Sequence, residues 1–147
     1  MKQFFRSIAI NAPSAIVWKA LTEPELMKQW MAEPEINLEI ITNWKIGGPI
    51  ITRGFHHVAF ENKGTVLQVV PEKVLQYNYL SSLSQLPDTP EHYSVIDFRL
   101  VAEQGKTIIT VMINNFPTET IYKHVVLYWE GTIIALKDTI GKEFAFP

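Results

Sequence analysis

The sequence predicts an α+β fold: a curved antiparallel sheet of about six to seven strands, two short helices after the first strand and one long C-terminal helix. Three observations carry this expectation. Apolar residues recur at spacings of three and four near the end of the chain, they alternate with polar ones from Glu35 to Asn115, and two helix-start signals follow the first strand. The 147 residues have the usual length of one domain, and a chain of that size hides roughly 70% of its unfolded surface, enough for one sizeable core. Residues 1–147 show no repeat or linker and are expected to form a single domain.

In the first segment, residues 2–11, Ile8 and Ile10 alternate with Ser7 and Ala9, the pattern of a strand with one buried face. Pro13 stands where a helix can begin, because its missing N–H costs nothing in a first turn, and SAIVWKAL continues without a breaker. Thr22 and Glu25 have the spacing of a capping box, with Leu21 and Leu26 at the staple positions, so a second short helix is expected to run to Met31.

The alternating region then divides into candidate strands at 37–42, 48–55, 58–70, 73–81, 92–102 and 106–116. Short turns at Gly47-Gly48, Arg53 to His57, Pro71-Glu72 and Gln104-Gly105 imply antiparallel neighbours. Leu83 to Glu91, with two prolines and Asp88, is a loop suited to a lid or a plain connector. From Thr118, a capping residue, to Lys142, an apolar stripe about 100° wide runs through Tyr122, Val125, Val126, Trp129, Ile133, Leu136 and Ile140. At 1.5 Å per residue this helix is about 36 Å long, so it must lie along the sheet.

Composition removes several classes of function. With no cysteine there is no disulfide, thiolate nucleophile or cysteine metal site. Residues are 47% hydrophobic and 19% charged, and no apolar run approaches the ~18 residues of a membrane span. The opening MKQFFRSIAIN is broken by Arg6 and lacks a small-residue cleavage site, so a cytoplasmic location is expected. A net charge of -2 without a basic run argues against nucleic acid as a partner. A small molecule or another protein is expected instead.

The element order and three stretches of sequence resemble a known superfamily. INAPSAIVWKALTEPELMKQWM at 10–31 is similar to the opening signature of START-like, or SRPBCC, proteins; GTVLQVVPEKVLQYNY at 64–79 resembles their central hairpin and HVVLYWEGTIIALKDTI at 124–140 their last helix. The shared residues are structural: Pro13, Val17, Trp18, Trp30, Gly64, Pro71 and Trp129. The resemblance implies the helix-grip fold, and within the superfamily it is strongest to the C-terminal domain of the activator of the 90 kDa heat-shock protein ATPase. Members of the superfamily bind lipids, sterols, plant hormones or polyketides, and some are cyclases. The activator's additional N-terminal domain has no counterpart in these residues, which weakens the expectation of a co-chaperone role.

A curved sheet gripping a straight helix leaves room for an apolar cavity with a few polar tips. Leu75, Tyr77 and Tyr79 share one strand face, as do Ile96, Phe98 and Leu100 on the next, with Trp129 and Ile133 opposite them. The expected ligand-binding residues are Trp44, Phe55, His57, Tyr77, Tyr79, Phe98, Met112, Trp129 and Ile133. A buried phenol needs a partner, so Tyr77 and Tyr79 either meet a polar core group or offer their hydroxyls to a ligand. The competing reading is that these aromatics only fill the core.

Reactive groups are sparse. His56 and His57 are adjacent and would point to opposite faces of a strand, and no metal-ligand spacing accompanies them. His124 falls opposite the helix stripe, Asp97 and Arg99 form a candidate solvent-facing pair, and Glu130 would make a general acid only if turned inward. No GxSxG elbow or glycine-rich phosphate loop is present. No catalytic residue, metal or cofactor is expected. The reading is a hydrophobic small-molecule binder, with a cyclase- or hydrolase-type enzyme or a chaperone-linked interaction module as alternatives. Leu127, Gly131, Ile134 and Ala135, on the outer side of the helix, make a homodimer the further expectation about partners.

Overall fold

A computed structural model of the chain describes residues 2–144. Seven strands form one antiparallel sheet in the order β1-β7-β6-β5-β4-β3-β2: β1 (Gln3–Ile10), β2 (Glu39–Thr42), β3 (Pro49–His56), β4 (Val58–Val70), β5 (Val74–Ser81), β6 (Ser94–Glu103) and β7 (Lys106–Asn114). The α-helices are α1 (Ser14–Thr22), α2 (Pro24–Met31) and α3 (Glu119–Phe144). The helix-grip α+β architecture expected from the sequence is thus present, with the first strand seated beside the last.

Strand parity decides which side chains meet α3. Phe4 pairs with Ile113 and Ile8 with Ile109, Leu75 with Phe98, and Tyr77 with both Ile96 and Val66, so these residues share the inner face. There they join Trp129, Ile133, Leu136 and Ile140 of α3 in one buried cluster. The sheet bends at β4. A β-carbon on Gly64 would lie 1.7 Å from the Asn78 carbonyl oxygen, and the register shifts just beyond, between Val66 and Gln68, where an extra residue increases the local twist. The last hairpin turns through Gln104 (φ 51°) and Gly105 (φ 80°), the two left-handed residues that a tight turn between twisted strands requires.

The helix ends follow local chemistry with one correction. Thr118 caps α3 as expected, its Oγ1 accepting the Ile121 N–H at 3.1 Å. Thr22 does not cap α2: Pro24 occupies the first turn, which makes Glu23 the capping position, and the Thr22 hydroxyl donates instead to the Trp18 carbonyl at 2.8 Å within α1. The α1–α2 pair is pinned by indole bonds, Trp30 Nε1 donating to Ala20 O at 2.8 Å and Trp44 Nε1 to Thr22 O at 2.7 Å.

Asp97 also departs from expectation. It is 3% exposed, not solvent-facing, because on the outer face it is covered by Gln76, which donates to it at 2.9 Å, and by Arg99 at 2.8 Å. The 82–93 loop folds onto this same outer face. Asp88 pairs there with Lys63 of β4 and accepts the Tyr93 hydroxyl at 2.7 Å, so the loop does not cover the space beneath α3. Among the described residues no helix is long and apolar enough to cross a membrane.

Candidate functional site

Between the middle of the sheet and α3 the aromatic side chains form a continuous layer. Trp44 lies 6.0 Å from Tyr77 ring to ring, Tyr77 6.3 Å from Phe98, and Phe98 5.8 Å from Trp129. Trp129 also meets Trp30 at 6.1 Å and Tyr128 at 5.5 Å. These tilted and edge-on approaches suit the aromatic quadrupole. The elements contribute for simple reasons: alternation along β5 and β6 turns Tyr77 and Phe98 inward, while the three-and-four spacing of α3 brings Trp129 down onto them.

Six of the nine expected binding residues therefore belong to one layer: Trp44, Tyr77, Tyr79, Phe98, Trp129 and Ile133. The other three lie elsewhere. Phe55 is 58% exposed near the end of β3, and His57 forms the one-residue connection from β3 to β4 with φ 63°, its ring 4.6 Å from that of His56. Met112 faces outward, because its neighbours Val111 and Ile113 take the inner positions of β7. Two residues not expected at the site border the layer. Thr52, 7% exposed, shares the inner face with Ile50, a parity legible in the sequence. Tyr128 donates its hydroxyl to the Met31 carbonyl, linking α3 to the end of α2 across 97 residues, and no local pattern signals that.

The polar tips of this layer are its distinguishing feature. Among the described residues no fully buried side-chain nitrogen or oxygen lacks a hydrogen-bond partner. Yet among the described residues the Tyr77 phenol and the Trp129 indole N–H, in side chains only 8% and 5% exposed, have no hydrogen-bond partner, and the same holds for the hydroxyls of Thr52 and Thr139, each 7% exposed. These atoms must therefore border space that water can reach. Desolvation pushes the Tyr77 phenol far above its ordinary pKa, helped by Tyr128 and Tyr79. Tyr79 is pushed up to about 12 by the same burial, against a smaller opposing effect of the Ser94 hydroxyl. Although 43% of Tyr128 is exposed, desolvation pushes it to about 12 as well. All three phenols are neutral hydrogen-bond donors at pH 7.

Among the described residues no histidine is buried in the layer, and Glu130 does not turn toward it. His56, His57 and His124 are exposed, and His92 is held in the outer loop by the Pro87 carbonyl at 2.7 Å. Glu130 is exposed and paired with Arg6 at 3.1 Å, turned away from the interior. Among the described residues no group of three or more histidines and carboxylates gathers to hold a metal ion. Two depressions of about 430 and 240 Å³ lie on the outer face, where Lys63 and Asp88 line both.

A bent antiparallel sheet closed by a long C-terminal helix, with an aromatic layer between them, defines a helix-grip domain of the START-like class. Within that class the chain belongs to the family described as Activator of Hsp90 ATPase homolog 1-like protein, whose model matches residues 11–141. Among solved structures, a protein of Cytophaga hutchinsonii is 31% identical over 99% of this chain and 97% of its own, with a TM-score of 0.80. The Aha1 dimer from Colwellia psychrerythraea is 20% identical over 95% and 96% with a TM-score of 0.74, and CalU16 from Micromonospora echinospora 20% identical over 97% and 78% with a TM-score of 0.72. No curated protein sequence matches.

Proposed function

We propose that the protein binds an apolar small molecule in the aromatic layer beneath α3 and releases it unchanged. The observation that carries this reading is the pair of donors in the aromatic layer, Tyr77 hydroxyl and Trp129 N–H, that have no hydrogen-bond partner among the described residues although both side chains are buried. A core that served packing alone gains nothing from leaving such groups unpaired. The Tyr128–Met31 bond bridges α2 and α3 beside the layer, so its opening is the natural route of entry. Binding without transformation fits a site in which no histidine or carboxylate of the described residues is placed as base or acid, which leaves the cyclase and hydrolase alternatives without a proton-transfer group.

The test is titration of the full chain with Nile red, a neutral apolar dye. The expected result is saturable one-to-one binding, lost when Ile133→Trp fills the layer. A folded protein that binds no dye, or an Ile133→Trp variant that binds it unchanged, overturns the reading.

One observation favours self-association as a second property. Leu127 (77% exposed) and Ile134 (54%) stand at the centre of the outer face of α3, and a β-carbon on Gly131 between them would meet nothing within 4 Å. The Colwellia Aha1 neighbour was solved as a dimer. Sedimentation equilibrium is expected to show a dimer that Leu127→Glu converts to monomer. A wild-type chain that stays monomeric at all concentrations rules this out.

A further inference from the structure

We infer that the ligand accepted beneath α3 is uncharged and presents a hydrogen-bond acceptor, such as a ketone, quinone or ether oxygen, on a flat apolar body. The inference rests on the small-molecule reading above and narrows it to a chemical class.

Charge is excluded by the lining. Among the described residues Asp97 is the one buried charged side chain, and it belongs to the outer face with Gln76 and Arg99. On the inner face the buried polar residues are hydroxyl-bearing: Thr52, Ser94, Thr107, Thr132 and Thr139. The one cation on an inward strand position, Arg6, lies at the β1 edge and is paired with Glu130. A carboxylate or phosphate entering the layer would lose its hydration without gaining a counter-charge, and an ammonium would fare no better.

Polarity is set by the free groups. An indole N–H can only donate, and Trp129 therefore asks for an acceptor. The Tyr77 phenol, kept protonated by its burial, supplies a second donor beside the same Phe98 ring, which lies 6.3 Å from Tyr77 and 5.8 Å from Trp129. Three of the inner hydroxyls are already used: Thr132 donates to the Tyr128 carbonyl at 2.7 Å, Thr107 to Ala12 O at 2.8 Å, and Ser94 to Asn115 O at 2.9 Å, whereas Thr52 and Thr139 have no partner among the described residues and add donors to those of Trp129 and Tyr77. The aromatic planes of Trp44, Tyr77, Phe98 and Trp129 favour a flat body that can slide between or edge against rings.

Three naphthalenes of the same shape separate these terms. The full-length protein is titrated with 2-acetylnaphthalene, 2-ethylnaphthalene and 2-naphthoate, with the Trp129 indole N–H followed by NMR. The ketone is expected to bind about fivefold or more tighter than the hydrocarbon, the worth of one added hydrogen bond, and at least about tenfold tighter than the anion. The Trp129 indole N–H signal should move downfield with the ketone only. In Tyr77→Phe the ketone's advantage shrinks while hydrocarbon affinity is kept. Ser7→Ala, which removes a hydroxyl from the outer face of β1 where it is bonded to Thr110, serves as a second variant and leaves that advantage in place. Naphthoate binding as tightly as the ketone overturns the exclusion of charge, and ketone and hydrocarbon binding equally overturns the donor assignment. Failure of all three to bind, in protein that remains folded, removes the small-molecule reading itself.

Discussion

Replacing Trp129 with alanine removes the side chain through which α3 is held to the rest of the molecule. Trp129 is 5% exposed, and its ring meets Phe98 of β6 at 5.8 Å, Trp30 of α2 at 6.1 Å and Tyr128 of its own helix at 5.5 Å. Truncating a buried tryptophan costs about 3–5 kcal/mol, and loss of contacts to two other elements places this one near the top of that range. For a domain of this length each kcal/mol lowers Tm by about 4 °C, so Trp129→Ala is expected to melt about 20 °C below the parent. Thermal denaturation followed by circular dichroism, with urea unfolding to check that the m-value is unchanged, measures this directly. Leu127→Ala is the control. Two residues away and 77% exposed, it is expected to change stability by less than about 0.5 kcal/mol. Equal losses for the two variants, or a fall of under about 3 °C for Trp129→Ala, would refute the claim that the inward stripe of α3 holds the helix on the sheet.

Other perturbations probe the remaining parts. Gly64→Ala puts a β-carbon 1.7 Å from the Asn78 carbonyl oxygen, a backbone atom that cannot swing away, and should cost about 3 kcal/mol or more in chemical denaturation. Gly131→Ala meets no atom within 4 Å on an exposed helix face and should instead stabilise by about 1 kcal/mol in the same assay. Tyr77, Tyr79 and Tyr128 hold their protons more tightly folded than unfolded, Tyr79 and Tyr128 with pKa values of about 12. Their stabilising contribution is therefore complete below the ordinary phenol pKa of about 10 and declines as pH rises toward 12, which alkaline unfolding with tyrosinate absorbance will follow. Tyr128→Phe removes the bond to the Met31 carbonyl and should cost about 1 kcal/mol while raising the rate of Nile red entry in stopped flow.

The sequence by itself determined what depends on near neighbours along the chain. The stripe that turns Trp129, Ile133, Leu136 and Ile140 inward follows from a 3.6-residue period, the inward set Leu75, Tyr77 and Tyr79 from a two-residue period, and the start of α3 from one threonine. Where two local rules competed at the start of α2, the covalent constraint of Pro24 prevailed over the capping box of Thr22. Tertiary structure alone decided the matters settled by residues far apart in sequence. KTIITVMIN is apolar on both faces, so only pairing with β1 and β6 sends Met112 outward. Asp97 is buried because Gln76, 21 residues away, reaches over it. The 82–93 loop lies on the outer face because Lys63 meets Asp88 there, and Tyr128 finds its acceptor 97 residues away. Period and propensity act over a turn of helix or a pleat of strand, whereas burial and hydrogen-bond satisfaction depend on whichever side chains the completed sheet brings alongside.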